Sequence, residues 1–304
     1  MLDRVIDINF YPVPQSATAN ERWRPVGLGI MGLQDVFFQL RLPFDSPEAQ
    51  YLSARIQEEI YFNALVASCD LAEKAGPHPA FAQTRLAEGK LQFDLWGVQP
   101  ADETRWNALR VRILKHGIRN SLLIAIAPTA TIASIVGCYE CIEPQISNLF
   151  KRETLSGEFL QVNRYLVNEL KDRGLWNEEI RMRLKMADGS VQQIDELPDD
   201  LKLIFRTVWE VPMRGLIDMA RERNAYIDQS QSLNLFSESP NIGRLSSMYM
   251  YAWKSGLKTT YYMRSRPATR IAKTTVATQP AAATTPASAV SCSLENPGSC
   301  EACQ

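Results

Sequence analysis

The sequence has few cysteines, no excess of either charge and no long apolar run. Its 304 residues include six cysteines and carry a formal net charge of −1. So sparse a set of cysteines argues against a secreted disulfide scaffold, and the balanced charge argues against a nucleic-acid or membrane partner. No apolar run approaches the ~20 residues of a membrane-spanning helix, and no signal segment begins at Met1. These absences predict a soluble, cytoplasmic chain.

The composition changes sharply near the end of the chain. Most of the sequence is ordinary globular material, with 45% hydrophobic and 22% charged residues. From about Thr269 to Ser299 nearly every residue is Ala, Thr, Pro, Ser or Val, which cannot bury enough apolar surface to offset the entropy of ordering. We therefore predict a folded body over residues 1–268 and a flexible tail over residues 269–304.

Helix signals dominate the body. Ser46 is a helix N-cap, Pro47 suits the first turn, and the negative charge of Glu48 is favourable there. Gly76 ends the helix that follows. Cys69 lies within this helix and is expected to be a core thiol. Its predicted buried stripe is Leu52, Ile56, Ile60, Ala64, Ala67 and Leu71. Further helices are predicted over 102–116, 163–173, 178–186, 199–209, 213–223 and 243–255.

Strand candidates are few and short. They are Val26 to Ile30, Ser121 to Ile126, part of Tyr226 to Leu235, and Lys258 to Met263. Short apolar strands between long helices favour an α/β architecture with parallel strands. Four strands do not close a barrel, so we expect an incomplete sheet with an exposed apolar face.

The tail ends in a Cys-x-x-Cys pair, Cys300 and Cys303. About 33 residues separate it from Arg266, which gives a flexible chain an r.m.s. reach of ~30 Å. Thiol and disulfide exchange requires the sulfurs to touch, so such an arm suits a dithiol that shuttles electrons between a buried site and an external reductant. A zinc-binding pair, or incidental cysteines, are the alternatives.

Three shorter segments carry weaker signals. The small hydroxylated turn 127–134 follows a strand and can hold a phosphate through N–H groups and hydroxyls, or be an ordinary helix cap. The Tyr261-Tyr262 pair is by itself no more than strand packing. Cys138 and Cys141 form a second Cys-x-x-Cys motif. We expect two core or loop thiols here, and a redox or metal-binding pair is the alternative.

Taken in order, many stretches resemble the C-terminal part of the large, catalytic subunit of class I ribonucleotide reductase, in its eukaryote-like branch. The resemblance covers roughly residues 3–268 and resumes at residue 292. The matching stretches occupy residues 6–13, 24–29, 117–121, 127–131, 142–144, 155–159, 205–210, 227–234, 256–259 and 261–262.

The resemblance implies a fold and a context. The fold is a helix-rich C-terminal part of the family's ten-stranded α/β barrel, incomplete by itself. In the family, the radical-forming cysteine of the finger loop and the residues that assist at the ribose lie upstream of this sequence. We therefore expect a split large subunit or a fragment that works with an N-terminal large-subunit half.

The resemblance also assigns roles to residues. Pro128, Thr129, Ala130 and Thr131 match the loop that binds the phosphates of a ribonucleoside diphosphate. Tyr261 and Tyr262 match a radical relay, which needs an irregular backbone because neighbouring strand residues point to opposite faces. Cys300 and Cys303 match the dithiol that thioredoxin or glutaredoxin reduces.

The last helix is a candidate for docking the small subunit. Leu245, Met248, Tyr249 and Ala252, with Trp253, form an apolar stripe, of which Met248 is expected to be exposed. In the family the matching helix contributes to the groove for the small subunit's C-terminal peptide. An ordinary core helix is the alternative. The chain is expected to bind no metal or cofactor, because the small subunit supplies the tyrosyl or metal radical. The implied activity is reduction of ribonucleoside diphosphates, and the alternative is a catalytically silent interaction or zinc-binding module.

Overall fold

The structure is a computed structural model. It describes the backbone of residues 1–154 and 157–266, and the side chains of the same residues except 150–160. The helices are α1 Leu2–Ile8, α2 Pro14–Trp23, α3 Leu33–Gln39, α4 Pro47–Ala75, α5 Glu103–His116, α6 Ala130–Val136, α7 Arg164–Asp172, α8 Glu178–Met186, α9 Asp199–Ile204, α10 Met213–Asn224 and α11 Ile242–Lys254. The strands are β1 Leu149–Thr154, β2 Gly157–Val162, β3 Leu235–Ser237 and β4 Met263–Ser265. No helix in these ranges is long and apolar enough to cross a membrane.

Four extended segments lie side by side in chain order. A parallel bridge joins Leu28 to Ile124, a second joins Ile126 to Gln231, and β3 pairs in parallel with β4. We call residues 26–30, 121–126, 229–237 and 261–265 the parallel row. The four strand positions and their parallel direction are thereby confirmed, although most of the row pairs too irregularly to form long strands.

The parallel row is open. Within the described ranges, no ladder joins its first segment to its fourth. Leu28 in the first segment keeps 42% of its surface exposed, and Leu122 beside it keeps 37%. An open row with exposed apolar residues agrees with an incomplete sheet, whereas the ten-stranded barrel itself stays a prediction. The boundary at residues 268 and 269 lies outside the described residues and also stays a prediction.

Two charged side chains tie the row together at the amino ends of its segments. The Asp228 carboxylate accepts hydrogen bonds from the backbone N–H groups of Leu123 and Ile124, each at 2.8 Å. The Lys258 ammonium donates to the carbonyls of Ile227 at 2.6 Å and Gln229 at 2.9 Å. These side-chain contacts add to the backbone hydrogen bonds that join the second segment to the third and the third to the fourth.

Helix α4 begins and ends where the sequence predicts. Its cap Ser46 accepts a hydrogen bond from the Ala49 N–H, Gly76 follows the last helical residue, and Cys69 is fully buried as expected. The predicted buried stripe is correct in part, because Leu52, Ile56, Ile60 and Ala64 are half-buried against the main core, but polar side chains occupy much of the fully buried face. The buried polar side chains all form hydrogen bonds to distant residues: Ser53 to Arg223, Gln57 to the Tyr226 carbonyl, Glu58 to Trp106, and Ser68 to Asn120. Ala67 and Leu71 of the predicted stripe are exposed.

The other predicted helices are present, with one shortened. Helix α9 ends at Ile204, not at residue 209, because the Thr207 N–H bonds the Glu210 carboxylate and the Val208 N–H bonds the Gln145 carbonyl. Helices α1, α2 and α3 and the antiparallel β1–β2 hairpin were not predicted. Helices α7, α8 and α9 enclose a second, smaller hydrophobic core built around Leu166, Leu184 and Leu201.

Replacing Asp228 tests the tie between the second and third row segments. Asp228→Ala removes a charged acceptor from two backbone N–H groups, so we expect a loss of about 2 kcal/mol in unfolding free energy. Urea denaturation followed by circular dichroism measures it. The exposed Asp195→Ala is the matched control and should change stability by less than about 0.5 kcal/mol. Equal midpoints for the two variants would contradict the structural role of Asp228.

Candidate functional site

The hydroxylated loop lies just beyond the carboxyl end of the second row segment. Ile126 is the last bridged residue, and Thr129 then takes a left-handed conformation, φ 57°, as the N-cap of α6. The Thr129 side chain does not cap the first turn of α6. Pro128, Ala130 and Thr131 are exposed, and Thr129 is half-buried. The loop thus presents backbone N–H groups and hydroxyls where parallel sheets commonly bind ligands.

A hydrogen bond fixes the Thr129 side chain. Its Oγ1 accepts from the Cys141 N–H at 2.8 Å, which leaves the hydroxyl hydrogen free to donate elsewhere. Cys141 is itself left-handed, φ 55°, and buried, and its thiol lies 3.5 Å from the Ser232 carbonyl. Cys138 is half-buried, and both thiols are free. Burial raises the pKa of the Cys141 thiol to about 12, which agrees with two core or loop thiols.

The tyrosine pair lies on a β-bulge. The Tyr261 N–H donates to the Leu233 carbonyl at 2.7 Å, and the Leu235 N–H donates to the Tyr262 carbonyl at 2.8 Å. In a regular parallel ladder, the two bonds that flank Asn234 would go to a single neighbouring residue. Here they go to two residues, which is the definition of a bulge. The irregular backbone predicted for this pair is therefore present.

The bulge brings the two tyrosine rings together. The ring centres of Tyr261 and Tyr262 lie 3.9 Å apart with an interplanar angle of 47°, and the two hydroxyl oxygens lie 3.0 Å apart. The hydrogen bond between the hydroxyls raises the pKa of Tyr261. The Arg264 guanidinium stands 5.6 Å from the centre of the Tyr262 ring. Both rings are about half exposed, at 48% and 52%.

Two polar residues behind the bulge were not recognised as site residues from the sequence. Asn234 receives the Tyr262 N–H on its side-chain oxygen at 3.2 Å, and Glu143 accepts two hydrogen bonds from Asn234. Burial raises the pKa of Glu143 to about 7. The sequence offered one signal for Glu143, its position in a stretch matching a known family, but that match carried no role.

The predicted docking stripe on α11 faces inward. Met248 and Ala252 are buried, at 9% and 2% exposure, and Leu245 packs against the same core. The expectation that Met248 is exposed is wrong, because its side chain lies on the face of α11 that covers the main core. Tyr249 and Trp253 are exposed, at 39% and 69%. Only the outward part of the stripe is available to a partner.

Other predicted or potential sites lie elsewhere. Cys300 and Cys303 lie outside the described residues. A cavity of about 520 Å³ opens at the amino ends of the row segments, beside Pro25, Ser121 and Asp228, which is the end opposite the hydroxylated loop. Within residues 1–154 and 157–266, no cluster of three or more His, Cys, Asp or Glu side chains could hold a metal ion.

Comparison with known proteins bears on the whole chain. A family model described as the ribonucleotide reductase barrel domain matches residues 1–263. The ribonucleoside-diphosphate reductase large subunit of Caenorhabditis elegans is 49% identical over 276 residues, which cover 90% of this chain and 35% of that protein. The large subunit of Arabidopsis thaliana is 46% identical over 319 residues, covering 99% of this chain and 39% of that protein.

A solved structure shows the same fold. The alpha subunit of the class Id ribonucleotide reductase of Actinobacillus ureae aligns with a TM-score of 0.69 and 26% identity, covering 88% of this chain and 44% of that one. The chain therefore spans little more than a third of the length of its curated relatives. The family match over residues 1–263, together with these relatives, confirms the resemblance found in the sequence: the chain belongs to the ribonucleotide reductase barrel-domain family of large subunits.

Proposed function

We propose that this chain contributes the phosphate-binding loop, a tyrosine radical relay and a dithiol shuttle to a ribonucleoside-diphosphate reductase. The large-subunit names of its relatives support the reaction class. In that reaction a ribonucleoside diphosphate loses its 2′ oxygen as water while a dithiol becomes a disulfide. Because the chain spans only part of its relatives, the rest of the large subunit must be supplied together with a small subunit that carries the radical.

The distance of 3.0 Å between the Tyr261 and Tyr262 hydroxyls is the observation that carries the proposal. A phenol can lose an electron and a proton together and become a neutral radical. Two phenols in contact can therefore pass an oxidising equivalent without building charge in a poorly solvated interior. By family analogy, Tyr262 is nearer the small subunit and Tyr261 is nearer the active-site cysteine.

The loop at Pro128, Thr129, Ala130 and Thr131 would hold the substrate's phosphates. Its exposed position and its first-turn N–H groups, which the Thr129 side chain leaves uncapped, support this role. Backbone N–H groups and hydroxyls would neutralise the phosphate charge without a cationic side chain. The Thr129 hydroxyl would donate to phosphate while its oxygen keeps the hydrogen bond from Cys141.

Replacing either tyrosine by phenylalanine tests the relay. Tyr261→Phe and Tyr262→Phe keep the ring but remove the oxidisable hydroxyl, so nucleotide reduction should stop with every reductant while assembly persists. The assay is CDP reduction by the chain co-expressed with candidate N-terminal large-subunit halves and a small subunit. The matched control is Tyr51→Phe, on an exposed ring 67% accessible on α4, which should keep full activity.

Two outcomes would count against this proposal. Wild-type activity in either tyrosine variant would exclude the relay role for that residue. Absence of CDP reduction by the wild-type chain with every N-terminal half would instead favour the catalytically silent interaction module.

The terminal cysteines would carry reducing equivalents from thioredoxin or glutaredoxin. Their thiolates would reduce the active-site disulfide by exchange and would leave as a disulfide that the external reductant reopens. Cys300→Ser combined with Cys303→Ser should permit one turnover from a pre-reduced holoenzyme and abolish later turnovers with thioredoxin. A small dithiol should partly restore cycling. Normal multiple turnover of the double variant with thioredoxin would refute the shuttle.

The outward face of α11 is proposed as a docking surface for the small subunit. Its members are Tyr249 and Trp253, since Leu245, Met248 and Ala252 belong to the core. Trp253→Glu should lower small-subunit affinity at least about tenfold while leaving the melting temperature near that of wild type. Lys254→Glu, a charge change on the adjacent exposed residue, is the control. Unchanged affinity of the Trp253 variant in a pull-down would exclude the docking role.

A further inference from the structure

The bulge that joins the tyrosines leaves one backbone donor without a ladder partner. In the pairing of the third and fourth row segments, Tyr261 donates its N–H to the Leu233 carbonyl, and the Tyr262 N–H has no equivalent carbonyl. The side-chain oxygen of Asn234 takes its place at 3.2 Å. An unpaired backbone donor at a bulge favours rearrangement of the strand. Asn234 therefore stabilises the bulge by accepting this hydrogen bond.

Glu143 determines which way the Asn234 amide points. One carboxylate oxygen accepts the Asn234 backbone N–H at 2.6 Å, and the other accepts the side-chain Nδ2 at 2.9 Å. Because Nδ2 is a donor and the carboxylate is only an acceptor, the Asn234 oxygen must face Tyr262. A glutamine at position 143 would have one acceptor too few for these two donors.

Among the described residues, the Glu143 carboxylate binds Asn234 and forms no ion pair. Glu143 is 6% exposed, and among the described residues it has no cation within salt-bridge distance. The charged groups that face it are Arg223 from α10 and Arg264 from β4, and both act at longer range. A buried carboxylate without an ion pair is costly to keep. Its double acceptance from Asn234 gives a specific reason for it to be there.

We propose that Glu143 and Asn234 are positioning residues that lock the bulge and thereby hold the Tyr261 and Tyr262 hydroxyls in contact. This inference rests on the proposed relay function for its catalytic consequence, but its structural part stands independently. Without the lock, the fourth row segment can return to regular pairing with the third. Regular pairing would send the two neighbouring rings to opposite faces and break the hydroxyl contact.

A hydrogen-bond exchange between the two residues gives a sharp test. Glu143→Gln sets an amide donor against the Asn234 amide donor, and Asn234→Asp sets one carboxylate against another. The double variant Glu143→Gln with Asn234→Asp restores every pair. Its new amide at position 143 accepts the backbone N–H and donates to one oxygen of the new carboxylate at position 234, whose other oxygen accepts from Tyr262. Glu140→Gln, the same charge change three residues away, is the control.

The primary measurement is hydrogen exchange of the Tyr262 amide in the full chain. We expect Glu143→Gln to exchange at least about tenfold faster at Tyr262 than wild type, because an Asn234 amide turned by the new donor no longer accepts the Tyr262 N–H. Asn234→Asp keeps an acceptor for that N–H and loses only the bond from Nδ2 to Glu143. The double variant and the Glu140 control should be close to wild type. CDP reduction in the assembled holoenzyme should fall in both single variants and recover in the double variant.

Two results would overturn this proposal. One is wild-type exchange at Tyr262 in Glu143→Gln. The other is fast exchange that the double variant does not restore. The double variant could restore slow exchange at Tyr262 while the single variants leave CDP reduction unchanged. That result would support the structural lock and exclude its catalytic role. Failure of the relay itself is read separately, from the Tyr→Phe variants, so the two proposals fail in distinguishable ways.

Discussion

The structure depends on how its parallel row is held together at the amino ends of the segments. Backbone hydrogen bonds join neighbouring segments only over short stretches, as two isolated bridges and one short pair of strands. The Asp228 carboxylate joins the third segment to the second through two backbone N–H groups, and the Lys258 ammonium joins the fourth to the third through carbonyl oxygens. These side-chain contacts strengthen the register that the backbone hydrogen bonds define. The positions of all groups at the carboxyl ends follow from that register.

At the carboxyl ends, one short segment connects the two halves of the candidate site. The Cys141 N–H binds the Thr129 hydroxyl in the proposed phosphate loop, and its thiol approaches the Ser232 carbonyl in the third row segment. Two residues later, Glu143 binds Asn234 behind the tyrosine bulge. The loop and the bulge therefore share a support, because a displacement of residues 141–143 would affect both.

The sequence predicted those features that depend on local periodicity and turn chemistry. The ends of α4 and the four parallel segments follow from local rules. The irregular backbone at Tyr261 and Tyr262 was expected from the family resemblance, which assigns a relay to two residues that a regular strand would separate. Local rules failed where a buried surface is polar or where contacts come from distant residues. The fully buried face of α4 was missed in part because Gln57 and Glu58 are buried through hydrogen bonds that no hydropathy pattern reveals. Likewise, Glu143 and Asn234 are 91 positions apart in the sequence, so no local pattern reveals their contact.

The exposure of the tyrosine pair has a structural cause. Tyr261 and Tyr262 lie in the fourth row segment, which is an edge of the row within the described residues. A tyrosyl radical in contact with water is open to side reactions, so a working relay requires the rings to be covered. Further strands or a partner that paired with this edge would complete the sheet and shield both rings in the same step. The incomplete sheet and the exposed rings are thus one feature, and the proposed relay would require a partner to occupy that edge.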